Sequence, residues 1–510
     1  MGEKNEQVAV ADLMQRSGVV FGTSGARGLA QCMTDRVCYA YTLAFLQHLE
    51  KQGLIHPGDE VLVGGDFRPS TPRIMAACLQ AIADLGYRPL NGGDIPSPAV
   101  ANLGLRRGIA SLMVTGSHIP DDRNGIKFNR PDGEILKPDE AAIREQVVTL
   151  PKALFDDQGM AREPFALPAV DSAARRAYLS RYLDFFRPDA LAGARVLLYE
   201  HSSVAAELLG EILENLGAVV EPVGQSDTFI PVDTEAVRSE DVALARQWAA
   251  ERTFDLIVST DGDGDRPLIG DERGEWLRGD VLGVLAAHYL QADAVVTPVS
   301  SNSVLEASGW FERTLRTRIG SPFVIEGMAR LAEEGARNVV GYEANGGFLT
   351  WHAIERDGRE LPPLPTRDAA IVALAVLMLA RRQGRSLSGL VADLPPRYTA
   401  SDRLKAFPPA LSRARIEALA EGGAELIEET FAGLELGALR DLDRTDGLRL
   451  TFASGEIVHL RASGNAPELR CYNEAGSPER VRRLNAACMT LLEGWREPEE
   501  GAAGGLEAGS

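Results

Sequence analysis

The sequence predicts an α/β protein: three similar α/β domains with mixed sheets, followed by a smaller α+β C-terminal domain. Two patterns carry that expectation. Short apolar runs suited to buried strands alternate with stretches of helical spacing through most of the chain, and such alternation favours mainly parallel or mixed sheets covered by helices. The 510 residues also exceed one ordinary core, and length alone suggests about three or four domains. The expected boundaries are 1–163, 164–277, 278–390 and 391–496, with a disordered Gly/Ala/Glu-rich tail at 497–510.

Composition narrows the class. Apolar residues at 45% and charged residues at 25% describe a soluble globular chain. The net charge of -20 argues against general nucleic-acid binding, because no long basic face can neutralise phosphates. Any anionic substrate must be met by a local group of arginines. Five cysteines in no CxxC pair suggest neither a zinc site nor a disulfide framework. No run approaches the roughly 20 apolar residues of a membrane span. A cytoplasmic protein without membrane partners is the economical inference, with the oligomeric state left open.

In the first domain, Arg36 to Gln52 and Ile74 to Leu85 have helical spacing, and Glu60 to Asp66 reads as a strand. Phe21-Gly22-Thr23-Ser24-Gly25-Ala26-Arg27-Gly28 permits a tight backbone beside Arg27; taken alone, it is a flexible turn. The apolar run Ile109 to Val114 predicts a buried strand ending in Thr115-Gly116-Ser117-His118-Ile119-Pro120, and Lys127 follows ten residues after the serine. Ligands bind at such strand ends in open α/β sheets, so the Ser117 hydroxyl is expected to be exposed there. Lys127 could serve as a cation or, if desolvated, as a base. A lone Ser-His pair is otherwise an ordinary polar loop.

The second domain shows a βαβ pattern from strand Ala194 to Tyr199, helix Ser203 to Leu216 and strand Ala218 to Glu221. After helix Ser239 to Glu251, the strand Phe254 to Ser259 runs into Thr260-Asp261-Gly262-Asp263-Gly264-Asp265-Arg266. Three carboxylates on alternate residues repel one another unless they share a cation, and hard oxygens suit Mg²⁺ or Ca²⁺. An EF-hand is excluded, because Arg266 stands where that loop needs glycine and a strand leads in.

The third domain carries strands Ala294 to Val299 and Asn338 to Glu343, the latter passing into Ala344-Asn345-Gly346-Gly347. Ala369 to Arg381 reads as a core helix. In the last domain, Leu448 to Phe452 and Glu456 to Leu460 predict a hairpin. It leads into Arg461-Ala462-Ser463-Gly464-Asn465-Ala466-Pro467-Glu468-Leu469-Arg470, whose arginines, hydroxyl, amide and open glycine suit a phosphate dianion.

Taken together, these segments resemble the α-D-phosphohexomutase family. The serine loop is similar to that family's Thr-Ala-Ser-His-Asn-Pro…Asn-Gly-x-Lys, with Gly116 for Ala and Ile119 for Asn. Phe21 to Gly28 matches its Phe-Gly-Thr-Ser-Gly-x-Arg-Gly, Asp261 to Arg266 its Asp-Gly-Asp-Gly-Asp-Arg, and Arg461 to Pro467 its Arg-x-Ser-Gly-Thr-x-Pro with Asn465 for Thr. The segment Gly65 to Ser70 resembles a further stretch with a supportive arginine.

The resemblance implies a central cleft among the domains. It implies phosphomannomutase activity, interconverting mannose 6-phosphate and mannose 1-phosphate, with glucose phosphates as further substrates; phosphoglucomutase and phosphoglucosamine mutase are the alternatives. A sugar-phosphate phosphatase and a non-catalytic phosphosugar binder are more distant ones. Ser117 is the implied phosphoserine, assisted by His118, Lys127, Arg27 and Arg266. One Mg²⁺ is implied on Asp261, Asp263, Asp265 and the Ser117 phosphate, with a bisphosphorylated hexose as intermediate and activator. Glu343 and Asn345 read the sugar, Arg461, Ser463, Gly464, Asn465 and Arg470 hold the substrate phosphate, and Arg318 either assists or is a plain surface arginine.

Overall fold

A computed structural model of the chain describes residues 5–22, 25–464 and 467–496; Asn465 and the tail 497–510 lie outside them. Two compact units are present. One comprises the chain up to Pro298 together with Gly309–Leu315 and Gly320–Asp393; the other comprises Val299–Ser308, Arg316–Ile319 and the chain from Leu394.

The first unit contains three helix-covered sheets. In the first sheet, Arg88–Asp94, Glu60–Gly65 and Ala110–Val114 are parallel neighbours, and Arg123–Arg130 and Ala26–Leu29 continue it antiparallel. Helix Asp35–Lys51 starts where Thr34 Oγ1 accepts from the Val37 N–H, and helix Thr71–Asp84 starts with a proline in its first turn. Both bury apolar faces in one core with the central strands.

The second sheet has the order Val219–Gln225, Arg195–His201, Leu256–Thr260, Pro267–Asp271, parallel except for the last pair. The helix expected from Ser203 begins at Ala206, after a turn in which Ser203 Oγ accepts from the Ala205 N–H. In the third sheet, Ala294–Pro298 and Val339–Tyr342 are parallel, and Phe348–Thr350 and Leu364–Asp368 add antiparallel strands. Helix Ala369–Gln383 is buried along nearly its whole length, as its apolar sequence requires.

The second unit is a five-stranded antiparallel sheet, with Tyr398–Lys405, Glu468–Ala475, Ile457–Ala462, Leu448–Phe452 and Leu439–Asp443 in that order. The expected hairpin is present, with Leu448 opposite Leu460. This sheet forms its own core with helices Pro409–Thr430 and Pro478–Glu493. Among the described residues, no helix is long and apolar enough to cross a membrane.

Candidate active site

Parallel strands present their C-terminal ends on one edge, and the turns that follow them carry the charged loops. Ser117 follows strand Ala110–Val114 with φ at 55°, the left-handed region that a non-glycine residue occupies at a cost of about 1–3 kcal/mol. A buried network imposes this conformation. Thr115 Oγ1 donates to Asp66 Oδ2 (2.7 Å) and accepts from the Ser117 N–H (2.7 Å). Arg68 donates to the carbonyls of Ser117 (2.8 Å), Ile119 (2.6 Å), Pro120 (2.7 Å) and Arg123 (3.0 Å), while its Nε binds Asp66. The arginine expected only to support the site is therefore the hub of the serine loop.

The expectation of an exposed serine is corrected here: Ser117 is 1% exposed. Its Oγ donates to Asp261 Oδ2 at 2.6 Å and lies 3.2 Å from His118 Nδ1. The hydroxyl is turned onto the acidic loop instead of outward. His118 is pushed down to about 2 by the Arg266 guanidinium, burial and Arg27, so its imidazole is neutral.

Asp261, Asp263 and Asp265 follow strand Leu256–Thr260 with carboxylate oxygens within 4.8 Å of one another, all buried. Burial and its two neighbours raise the Asp261 carboxyl well above its usual range. Burial acts the same way on Asp263 and Asp265, but Lys127 and Arg367 outweigh it and hold both below the usual range. Lys127 Nζ donates to Asp263 Oδ2 (2.6 Å) and Asp265 Oδ2 (2.5 Å). Burial opposes its charge, yet these carboxylates outweigh it and raise its pKa, which favours the charged form of Lys127 beside them.

Ser97 Oγ also donates to Asp263 Oδ2. The remaining oxygens, Asp263 Oδ1 and Asp265 Oδ1, are buried and accept no hydrogen bond from the described residues. Buried acceptors are otherwise almost always satisfied. Two such oxygens, beside Ser117 Oγ and Asp261, fit a hard divalent cation.

Arg266 Nε lies 3.7 Å from Asp265 Oδ1 and 3.9 Å from Asp261 Oδ2. Arg27, cross-strand from Gly125, is pushed down to about 10 by burial and by Arg266. Cations are therefore crowded at this place in a chain of net charge -20.

Glu343 and Asn345 form the turn after strand Val339–Tyr342, and both are buried. Asn345 Oδ1 accepts from the Gly347 N–H at 2.9 Å, which commits its acceptor to the turn and leaves its amide NH₂ as the group open to a ligand. Thr234 Oγ1 fixes the same turn through the Asn345 carbonyl (2.8 Å). Glu343 Oε2 pairs with Arg367 (3.3 Å), whose other arm reaches Asp265 Oδ2 (3.1 Å).

In the second unit, Arg461 and Arg470 are direct cross-strand partners at the end of a hairpin. Arg461 Nε binds Asp446 (2.9 Å), Arg470 binds Glu468 (3.2 Å), and Ser463 caps the turn through its N–H to the Glu468 carbonyl. A Cβ on Gly464 would meet nothing within 4 Å. Arg413 and Arg444, which no motif marked, line a groove of about 600 Å³ with Arg461, Ser463 and Gly464. Arg318 is exposed and belongs to this unit.

Four domain descriptions of one family match in order: phosphoglucomutase/phosphomannomutase α/β/α domain I over residues 18–153, domain II over 177–274, domain III over 278–398 and the C-terminal domain over 409–491. The chain belongs to the phosphoglucomutase/phosphomannomutase family. It is 44% identical over 476 residues to a phosphomannomutase of Sinorhizobium fredii, covering 93% of this chain and 99% of that protein. It is 41% identical to a phosphomannomutase of Salmonella muenchen, covering 92% and 94%. A solved phosphoglucomutase/phosphomannomutase family protein from Burkholderia thailandensis shares the fold at a TM-score of 0.70 and 19% identity, over 94% of this chain and 97% of its own.

Within this phosphoglucomutase/phosphomannomutase fold, the first unit brings together Ser117, His118, Lys127, Arg27, Arg266, the three aspartates, Glu343 and Asn345. Sequence reading missed Ser97, Thr234 and Arg367. None lies in a local motif, and each is defined only by a partner more than 100 positions away or across the sheet.

Proposed function

We propose that this protein is a phosphomannomutase that interconverts mannose 6-phosphate and mannose 1-phosphate through phosphorylated Ser117, and that it also accepts glucose phosphates. One observation carries the reading. The Ser117 hydroxyl is held 2.6 Å from Asp261, inside a cluster that also gathers Lys127, Arg27, Arg266 and a neutral His118.

The reaction needs a phosphoryl group to leave Ser117 Oγ for a sugar hydroxyl, then a second to return. In the first step the P–O bond to Ser117 breaks, a P–O bond to the sugar forms, and the sugar hydroxyl's proton passes to Ser117 Oγ as that oxygen leaves, with His118 Nδ1, 3.2 Å from Oγ, as the relay between them. The product is a bisphosphorylated hexose that turns end over end before the serine recovers the other phosphoryl group.

Arg27 and Arg266 offset the charge that spreads over the phosphoryl oxygens. Asp261, Asp263, Asp265 and Ser117 would hold Mg²⁺, which supplies positive charge to the same oxygens. Glu343 and the Asn345 amide bind sugar hydroxyls, and Arg461, Ser463, Gly464, Asn465 and Arg470 anchor the phosphate that is not transferred.

The test is a coupled assay with mannose 1-phosphate and a trace of bisphosphorylated hexose, paired with phosphopeptide mapping. Isomer should accumulate, label should sit on Ser117, and Ser117→Ala should fold normally yet lose nearly all turnover. Release of inorganic phosphate without isomer, or label on another residue, would overturn the reading.

A further inference from the structure

Arg367 lies on strand Leu364–Asp368 and is 4% exposed. One arm of its guanidinium meets Asp265 Oδ2 at 3.1 Å, and the other meets Glu343 Oε2 at 3.3 Å. Its stem passes over Gly347, where a Cβ would stand 2.7 Å from its Cγ and Cδ, so the glycine leaves room for it. Glu134 contributes a third negative field, and its own oxygens are fixed by Thr366 Oγ1 (2.5 Å) and Ser321 Oγ (3.0 Å). A planar fork held between two carboxylates is a task for arginine, because lysine offers a point charge that cannot be bidentate.

The two carboxylates have different duties. Asp265 belongs to the acidic loop, and its Oδ2 is already shared with Lys127. Glu343 belongs to the turn proposed to read the sugar. We infer that Arg367 is a positioning residue that orients Glu343 toward the sugar and couples that orientation to the charge carried on Asp265. This inference rests on the phosphomannomutase reading for the identity of the sugar ligand, and on geometry alone for the link between the two loops.

Opposite effects on two ligands follow. Removing the guanidinium frees Glu343 to rotate, which weakens sugar binding. It also removes a cation that competes for Asp265, which strengthens metal binding. A residue needed only for packing would weaken both. The coupling also runs in reverse: neutralising Glu343 removes one of the carboxylates that share the guanidinium, so Arg367 competes more strongly for Asp265 and metal binding should fall even though Glu343 is not in the acidic loop.

Titration calorimetry on the full chain tests this with Mg²⁺ alone and then with mannose 1-phosphate. In Arg367→Gln, the Kd for mannose 1-phosphate should rise by about tenfold, the size of one lost charged hydrogen bond, while the Kd for Mg²⁺ falls. Arg367→Lys should recover part of the sugar affinity. In Glu343→Gln, which keeps Arg367 and serves if the arginine variants fail to fold, the Kd for Mg²⁺ should rise by about fivefold or more. Parallel weakening of both ligands in Arg367→Gln, or unchanged Mg²⁺ affinity in Glu343→Gln, overturns the inference. Failure of the unaltered protein to bind mannose 1-phosphate would instead count against the proposed function, and the Mg²⁺ measurements would still decide the role of Arg367.

Discussion

Gly116 shows how a single departure from a family pattern acquires a physical reason. The resemblance leads one to expect alanine there, yet a Cβ would lie 2.5 Å from Arg68 Cζ and 2.8 Å from its Nε. Arg68 cannot retreat, because it is 1% exposed and pinned by Asp66 and four carbonyls. Gly116→Ala should therefore push the guanidinium off the Ser117 and Ile119 carbonyls and loosen the left-handed serine. Each charged hydrogen bond lost is worth about 1.5–3 kcal/mol, so kcat should fall by about tenfold or more while the fold survives. Steady-state kinetics decides it: an unchanged kcat in Gly116→Ala would mean that Arg68 does not set the serine's geometry.

Among the elements, the strand Leu364–Asp368 does two jobs through adjacent residues. Arg367 faces the site, whereas Asp368 faces inward and caps helix Ala369–Gln383, accepting from the Ala370 N–H at 3.1 Å. Tyr178 Oη donates to the same carboxylate at 2.6 Å, Tyr182 Oη donates to its other oxygen, and Arg181 stands 3.9 Å away. Helix Ala173–Phe185 thus anchors the strand that carries Arg367. Asp368→Ala would strand two buried hydroxyls, remove the cap and take the buried counter-charge from Arg181, which keeps its hydrogen bonds to the Pro362 carbonyl and Thr350 Oγ1. Breaking a buried charge pair by deleting one partner costs about 3–5 kcal/mol, with roughly 1 kcal/mol more for the cap. Chemical denaturation should show a loss of this size. A variant with the stability of the parent would show that these contacts are energetically idle.

At the scale of the whole molecule, what the sequence made legible was local. Alternating apolar runs and helical stretches predicted three mixed sheets, because a strand or an amphipathic helix is written in consecutive residues. The Asp261–Arg266 loop was legible for the same reason. The contacts that finish the site span the chain: Ser97 meets Asp263, Lys127 meets Asp263 and Asp265, and Arg367 meets Asp265 and Glu343. No periodicity encodes them. Nor does any encode the assignment of Val299–Ser308 and Arg316–Ile319 to the second unit. Among the described residues, the side chains that touch the three aspartates, Ser97, Ser117, Lys127, Arg266 and Arg367, belong to the first unit, while the second has a core of its own. A cation on those aspartates should therefore stabilise only the first unit. At a free Mg²⁺ concentration about 100 times Kd, linkage supplies about 2.7 kcal/mol, which slows exchange through full opening of the unit by about 100-fold. Hydrogen exchange read by mass spectrometry should show that slowing in Ala110–Val114 and Leu256–Thr260. The strands Leu448–Phe452 and Glu468–Ala475 should exchange as before, and Asp263→Asn should abolish the difference. Equal protection of both units, or protection that persists in Asp263→Asn, would mean that the cation acts elsewhere than on Asp261, Asp263 and Asp265.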